Sequence, residues 1–208
     1  MTGVTAIVPV RTLYGGKSRL SSVLEPAVRS RLIAAMLHAV IDALRAARDI
    51  GHIVVVSHDG SLRLPSGIGL LRDEGLDLNS AVQLGMHHSR SGSAAMLIVA
   101  ADIPLVVASD IDTLIEAGRA ADIVVATDRA GLGTNALWVN SSIALPPQFG
   151  YCSAAAHEAA ARQLGASVSR IVVPGLALDV DTQADLELLC ERRETRYGFL
   201  RTALGRAA

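Results

Sequence analysis

The stretch AIVPVRTLYGGKSRL, residues 6–20, joins a run of β-forming apolar residues to a loop that carries glycine and positive charge. Its Gly-Gly-Lys-Ser segment matches the end of the P-loop pattern, which needs a further glycine at position 11 so that backbone amides can wrap a phosphate. Position 11 is an arginine, so the full P-loop pattern is absent. What remains is a predicted strand followed by a basic, glycine-containing loop.

Three cations, Arg11, Lys17 and Arg19, accompany the two glycines of this loop. Exposed amides and positive charge suit a polyanion such as a phosphate chain. A solvated connector with chance basic residues has the same composition. Both interpretations stay open from this stretch alone.

The composition indicates an ordinary globular protein without a nucleic-acid partner. The 208 residues are 50% hydrophobic and 19% charged, which suits one well-buried domain over residues 1–208. A net charge of -1 provides no positive field for nucleic acid, and 3% aromatic residues leave few platforms for stacked bases.

Apolar runs are too short for a membrane partner. None reaches the ~20 residues that span a bilayer, and the longest, 94–101, stops at Asp102. The N-terminus lacks a basic region and a cleavage pattern, so it is interpreted as a first strand, and we expect a cytoplasmic protein. Cys152 and Cys190 are far apart in sequence and are expected to be free thiols.

Short β-branched segments alternate with amphipathic helical segments along the chain. Repeated β-then-α units predict an α/β fold with a mostly parallel sheet and a ligand site at the carboxyl ends of the strands. The expected strands are 4–10, 52–57, 68–71, 96–102, 122–127, 135–139 and 169–173. Helices are expected after Pro26, from about 79, from 109, over 153–164 and from 182 to the end.

Aspartates follow several of these strands. Asp102 closes the most hydrophobic one, where a carboxylate is costly unless it meets water, a partner or a cation; alternatively it forms a turn before Pro104. Asp179 and Asp181 are two residues apart, so in an extended segment both can approach one cation, and Asp181 also suits a helix cap. Carboxylates with substrate phosphates suit Mg²⁺, whereas the six histidines show no zinc spacing.

Six motifs in order resemble one family, the guanylyltransferases of coenzyme F420 biosynthesis, which condense GTP with a small phosphorylated acid. They are IVPVR..YGGKSRL, DLNSAV, VAADIPL, TDRAGLGTNAL, the FG..S...H stretch over 149–157, and GLALDVDT. The resemblance implies a three-layer, Rossmann-like nucleotidyltransferase fold of the nucleotide-diphospho-sugar-transferase type, with helices on both faces of the sheet.

The resemblance also implies roles for individual residues. GTP would be held by Arg11, Gly15, Gly16, Lys17 and Arg19, with guanine or ribose near Asp77 and Asn79. Mg²⁺ would be held by Asp102, Asp179 and Asp181, and the acid by Thr134, Gly150 and Ser153. Two departures stand out: Arg11 replaces a more usual lysine, and 150–154 replaces a more glycine-rich segment.

The expected reaction is therefore transfer of GMP from GTP to phosphoenolpyruvate, 2-phospho-L-lactate or 3-phospho-D-glycerate, with Lys17, Arg19 and Asp102 as catalytic residues. An ionised substrate phosphate needs alignment and charge neutralisation more than a protein nucleophile. A molybdopterin or sugar-alcohol nucleotidyltransferase and a non-catalytic nucleotide-binding module are the alternatives. The C-terminal helix, with Leu186, Leu189, Tyr197 and Leu200, could pack on its own sheet or form a homodimer.

Overall fold

One mostly parallel sheet runs through the computed structural model, which describes residues 3–11, 16–60, 62–75, 77–192 and 195–205. Within these ranges the sheet has seven strands in the order β3-β2-β1-β4-β6-β5-β7. The strands are β1 (Val4–Pro9), β2 (Ile50–Ser57), β3 (Gly69–Arg72), β4 (Ala95–Val99), β5 (Ile123–Thr127), β6 (Thr134–Asn140) and β7 (Val168–Ile171). β6 runs antiparallel to both of its neighbours, and all other pairs are parallel.

Helices cover both faces of this sheet. They are α1 (Pro26–Ala46), α2 (Leu78–Ser89), α3 (Ala108–Ala120), α4 (Ser153–Gln163), α5 (Pro174–Ala177), α6 (Gln183–Glu191) and α7 (Gly198–Ala203). Successive residues of β1 point to opposite faces. Ala6 and Val8 therefore share a core with α1 and α3, whereas Ile7 joins the core under α2 and α4. The predicted three-layer α/β fold is confirmed.

The predicted C-terminal helix is wrong in its extent. α6 ends at Glu191, and a single 3₁₀ turn over Thr195–Tyr197 precedes α7. The buried Tyr197 hydroxyl donates to the Pro104 carbonyl at 3.1 Å and so ties the turn between the two helices to the rest of the domain. The apolar residues of this region pack against α1 in a third core of the same chain, so they need no second subunit for burial.

Two simpler expectations can also be compared with the structure. Cys152 and Cys190 are thiols and do not form a disulfide, as predicted. None of the helices in the described ranges is both long enough and apolar enough to cross a bilayer.

Candidate active site

A cleft of about 680 Å³ opens where β1 and β4 end and β6 begins. Because β6 is antiparallel, its first residues lie at the same edge of the sheet as the carboxyl ends of its neighbours. Ten of the predicted site residues line this cleft: Arg11, Gly16, Lys17, Arg19, Asp102, Thr134, Gly150, Ser153, Asp179 and Asp181. Gly15 lies outside the described residues.

Lys17 joins three segments that are far apart in sequence. Its ammonium donates to Asp102 Oδ2 at 2.5 Å and to Asp181 Oδ1 at 2.6 Å. Only 11% of its side chain is exposed, against 32% for Asp102 and 44% for Asp181. The lysine therefore forms one ion-paired group with two carboxylates inside the cleft.

The third core explains how this group is assembled. Lys17 has a left-handed backbone (φ 54°), an uncommon conformation for a non-glycine residue, at the start of a 3₁₀ turn over Ser18–Leu20. Leu20 and Val180, which neighbour the ion-paired residues in sequence, are both fully buried in that core. Apolar packing thus holds the loop that carries Lys17 (the lysine loop) beside the segment that carries Asp181.

Opposing effects act on the pKa of Lys17. Burial alone lowers the pKa, but the charges of Asp102 and Asp181 and their hydrogen bonds outweigh it and leave the pKa above its usual value. The ammonium is therefore charged throughout the physiological pH range.

Asp179 also lines the cleft but has a different partner. Its Oδ1 lies 3.5 Å from Asn135 Nδ2, which donates a shorter bond to the Leu176 carbonyl. Burial first, and then the charge of Asp102, raise the pKa of Asp179. Within the part of the chain that the structure describes, no three His, Cys, Asp or Glu residues are grouped as metal ligands. Asp102 and Asp181 both contact Lys17, and Asp179 lies close enough for their charges to act on it; a shared Mg²⁺ stays a prediction.

The alternative roles of the aspartates can be compared with these contacts. Thr182, not Asp181, caps α6, and its hydroxyl and the Asp185 carboxylate form a capping box. β4 ends at Val99, so Asp102 lies in the following turn and directs its carboxylate to Lys17. Arg19 is mostly exposed, with a nitrogen 3.8 Å from Asp181 Oδ2.

The opposite wall of the cleft is built from neutral groups. Thr134 begins β6 and Ser153 begins α4, and the Ser153 hydroxyl donates to Thr134 Oγ1 at 3.1 Å. Gly150 has φ 143°, a conformation that favours glycine, in the turn before α4. His157, one helical turn after Ser153, lies 3.1 Å from the same Thr134 oxygen.

Asp77 and Asn79 do not line the main cleft. Asp77 caps α2 by accepting from the Ser80 amide, and it borders a small adjoining hollow with Arg11, His58 and Asp73. Asn79 uses both polar groups on the backbone of Phe149, with bonds of 2.7 and 3.0 Å. The structure therefore gives Asn79 a role in holding the loop before Gly150, while a base contact stays a prediction.

Sequence reasoning gave no role to two residues, Asn135 and His157. Asn135 is buried at the start of β6 and His157 is fully buried. A signal for His157 was present, because positions 153 and 157 fall on one face of a helix. Composition also distinguishes the predicted site residue Lys17, because it is the only lysine among the 19 lysine and arginine residues.

His157 should make folding stability depend on pH. Burial lowers its pKa from 6.5 to about 4, so between these values the unfolded chain binds a proton that the folded chain does not. Stability is thus full above pH 6.5 and falls as the pH approaches 4, by on the order of 3 kcal/mol. Urea unfolding at pH 7 and pH 4.5 measures this loss.

The matched variants are His157→Gln and His38→Gln, the second at an exposed histidine of α1. His157→Gln should lose a smaller part of its stability on acidification than the unaltered chain, while His38→Gln should retain the full pH dependence. Equal losses in all three proteins would contradict this assignment.

The chain is similar to known proteins over almost its whole length. The family model described as "Guanylyl transferase CofC like" matches residues 4–203. A phosphoenolpyruvate guanylyltransferase of Sphaerobacter thermophilus is 39% identical over 188 residues, covering 88% of this chain and 91% of the relative. A 2-phospho-L-lactate guanylyltransferase of Methanothermobacter thermautotrophicus is 37% identical, covering 87% and 81%.

A solved structure has the same fold at low sequence identity. A crystal structure from Desulfovibrio desulfuricans G20, named as a nucleotide-diphospho-sugar transferase, aligns with a TM-score of 0.79 at 18% identity, over 97% of this chain and 95% of the other. This similarity supports the three-layer nucleotidyltransferase fold. The family match over residues 4–203 shows that the chain belongs to the Guanylyl transferase CofC like family.

Proposed function

We propose that this protein transfers GMP from GTP to a phosphorylated three-carbon acid and releases pyrophosphate, as a step of coenzyme F420 biosynthesis. The single observation that carries the proposal is the cleft itself. It combines Lys17, bonded to Asp102 and Asp181, with the hydroxyl-bearing wall of Thr134 and Ser153. One side suits a charged triphosphate and the other suits a small anion.

The reaction needs no nucleophile from the protein. An oxygen of the acid's phosphate bonds to the α-phosphorus of GTP as the bond from that phosphorus to the bridging oxygen breaks. The pyrophosphate leaves with the electron pair. The chain's contribution is to align the two anions and to offset their charge, for which Lys17, Arg11 and Arg19 line the cleft.

The residues fit a magnesium ion bound together with substrate. Mg²⁺ is bound in proteins through one or two carboxylates plus substrate phosphates. Asp102 and Asp181 supply two carboxylates that already share one cationic partner. When bound, Mg²⁺ would stabilise the charge that develops on the transferred phosphoryl group. Lys17 would then release at least one carboxylate and donate to a phosphate oxygen instead.

Phosphoenolpyruvate is the first choice of acid, followed by 2-phospho-L-lactate and 3-phospho-D-glycerate. The similarity to relatives named for the first two supports this order. The cleft wall near the acid contains neutral hydroxyls and the Gly150 backbone, which can donate to carboxylate or phosphate oxygens.

A homodimer stays a prediction.

The test is pyrophosphate release by the purified protein. We expect release from GTP only when Mg²⁺ and one of the three acids are both present, with the highest kcat/KM for phosphoenolpyruvate. Replacement of GTP by CTP should abolish most of the activity. Inactivity with all three acids would contradict the substrate assignment, and tight GTP binding without turnover would favour the non-catalytic nucleotide-binding module.

A further inference from the structure

A chain of hydrogen bonds passes through His157 to the wall of the cleft. The Gln148 backbone N–H donates to His157 Nε2 at 2.9 Å, and His157 Nδ1 lies 3.1 Å from Thr134 Oγ1. A backbone N–H can only donate, so Nε2 must present its lone pair. In the neutral imidazole the hydrogen is then on Nδ1, where Thr134 Oγ1 and the Ser153 backbone carbonyl are both acceptors, so Thr134 cannot donate to this nitrogen.

The Thr134 oxygen therefore accepts two bonds, one from His157 Nδ1–H and one from the Ser153 hydroxyl. A hydroxyl oxygen has two lone pairs and one hydrogen. Since both lone pairs are engaged, the hydrogen is the part of the group that is left for a ligand. Thr134 lines the cleft, so this hydrogen is available to an acceptor bound there.

Burial makes this arrangement strict. His157 is fully buried, Ser153 is 2% exposed and Thr134 is 7% exposed. In such an environment a polar group without a partner is costly, so each group keeps the role that its neighbours assign. The lowered pKa of His157 keeps the ring neutral at pH 7 and so preserves the lone pair that Gln148 needs.

We propose that His157 is a positioning residue that holds the Thr134 hydroxyl as a hydrogen-bond donor for a carboxylate or phosphate oxygen of the acid substrate. This inference rests on the proposed function. It adds that acid binding depends on which ring nitrogen of His157, a buried residue behind the cleft wall, carries the hydrogen. The same histidine supports the loop before Gly150, because it accepts from Gln148 and its ring meets Phe149 edge-on at 4.8 Å.

Two substitutions of His157 separate its two bonds. His157→Asn puts an amide near the Nδ1 position and can still donate to Thr134. His157→Gln puts an amide oxygen near the Nε2 position and can still accept from Gln148, but it loses the donor to Thr134. We expect His157→Gln to raise the KM for the acid about tenfold, the size of one lost hydrogen bond, while the KM for GTP changes by less than about twofold. His157→Asn should remain within about threefold of the unaltered enzyme.

A double-mutant cycle with Thr134→Val tests whether His157 acts through the hydroxyl. Residues that act through one contact are not additive. Once Thr134 lacks its hydroxyl, His157→Gln should raise the KM for the acid no further. Additive effects of the two substitutions, or equal effects of His157→Asn and His157→Gln on that KM, would overturn the proposal.

A measurement without activity provides the second test. The ¹⁵N spectrum of the imidazoles, with His157 assigned through its bonds to the backbone in the unaltered protein, should show hydrogen on Nδ1 at pH 7. Hydrogen on Nε2 would overturn the proposal even if the variants fail to fold. If the unaltered protein releases no pyrophosphate with any acid, the proposed function fails, whereas the spectrum still decides the tautomer.

Discussion

Asp102→Asn is expected to lower kcat by roughly 10²–10³-fold, the range seen when one group that stabilises transition-state charge is removed. The side chain keeps its shape but loses the negative charge that bonds Lys17 at 2.5 Å. Asp181 then remains as the single carboxylate on the lysine, and the proposed Mg²⁺ position loses half of its protein charge. Steady-state kinetics with GTP and phosphoenolpyruvate over a series of Mg²⁺ concentrations measures both the loss and the weakened metal dependence.

Asp42→Asn is the matched control for this variant. Asp42 is an exposed residue of α1 that pairs with Arg196 at 2.7 Å, away from the cleft. Its removal should leave kcat unchanged, because Asp42 does not line the cleft. It should also leave the fold intact, because exposed pairs contribute about 0–1 kcal/mol to stability. If Asp102→Asn kept kcat within about threefold of Asp42→Asn, Asp102 would be a turn residue rather than part of the catalytic group.

Lys17→Met is expected to lower kcat/KM for GTP by roughly 10²–10³-fold, since it removes the buried charge that we propose contacts phosphate. The methionine retains most of the apolar stem but cannot donate. In the free protein Asp102 and Asp181 would then face each other without the cation that both bond. We therefore expect lower stability than in the unaltered chain, and a partial recovery when Mg²⁺ is added.

Arg45→Met, at an exposed position of α1, is the control for the loss of one positive charge. It should keep both kcat/KM and stability.

The stabilising effect of Lys17 should depend on pH. The pKa of Lys17 in the folded chain is raised above 10.5, so the effect is complete below that pH and is lost as the pH rises past the folded value. Unchanged GTP kinetics in Lys17→Met would remove the lysine from the proposed mechanism.

The sequence predicted the layers of this fold because burial leaves a local signature. Continuous apolar runs such as those in β1 and β4 occur where a strand is covered on both faces. Strand direction leaves no such signature. The apolar segment over 135–139 predicts a strand equally well in either direction, and only its pairing with both neighbours makes β6 antiparallel.

The sequence indicated which residues lie in the cleft better than it indicated the contacts among them. Strand-end patterns and family motifs identified the residues of the cleft, but a bond between positions 17 and 181 depends on how the third core folds. In the structure Asp181 bonds Lys17 whereas Asp179 lies beside Asn135, and the expectation that both aspartates approach one cation stays a prediction. The hydrogen positions around His157 follow from three-dimensional contacts alone.

The reversed direction of β6 has a consequence for how this enzyme could diversify. Lys17 and Asp102 lie in the loops after β1 and β4, whereas Thr134 begins the reversed strand β6 and Ser153 begins α4. In the proposed reaction, Lys17 and Asp102 would act on the nucleotide together with Asp181, and Thr134 and Ser153 would contact the acid. A change of acceptor acid would then require substitutions mainly around β6 and α4, while the loops after β1 and β4 could stay unchanged.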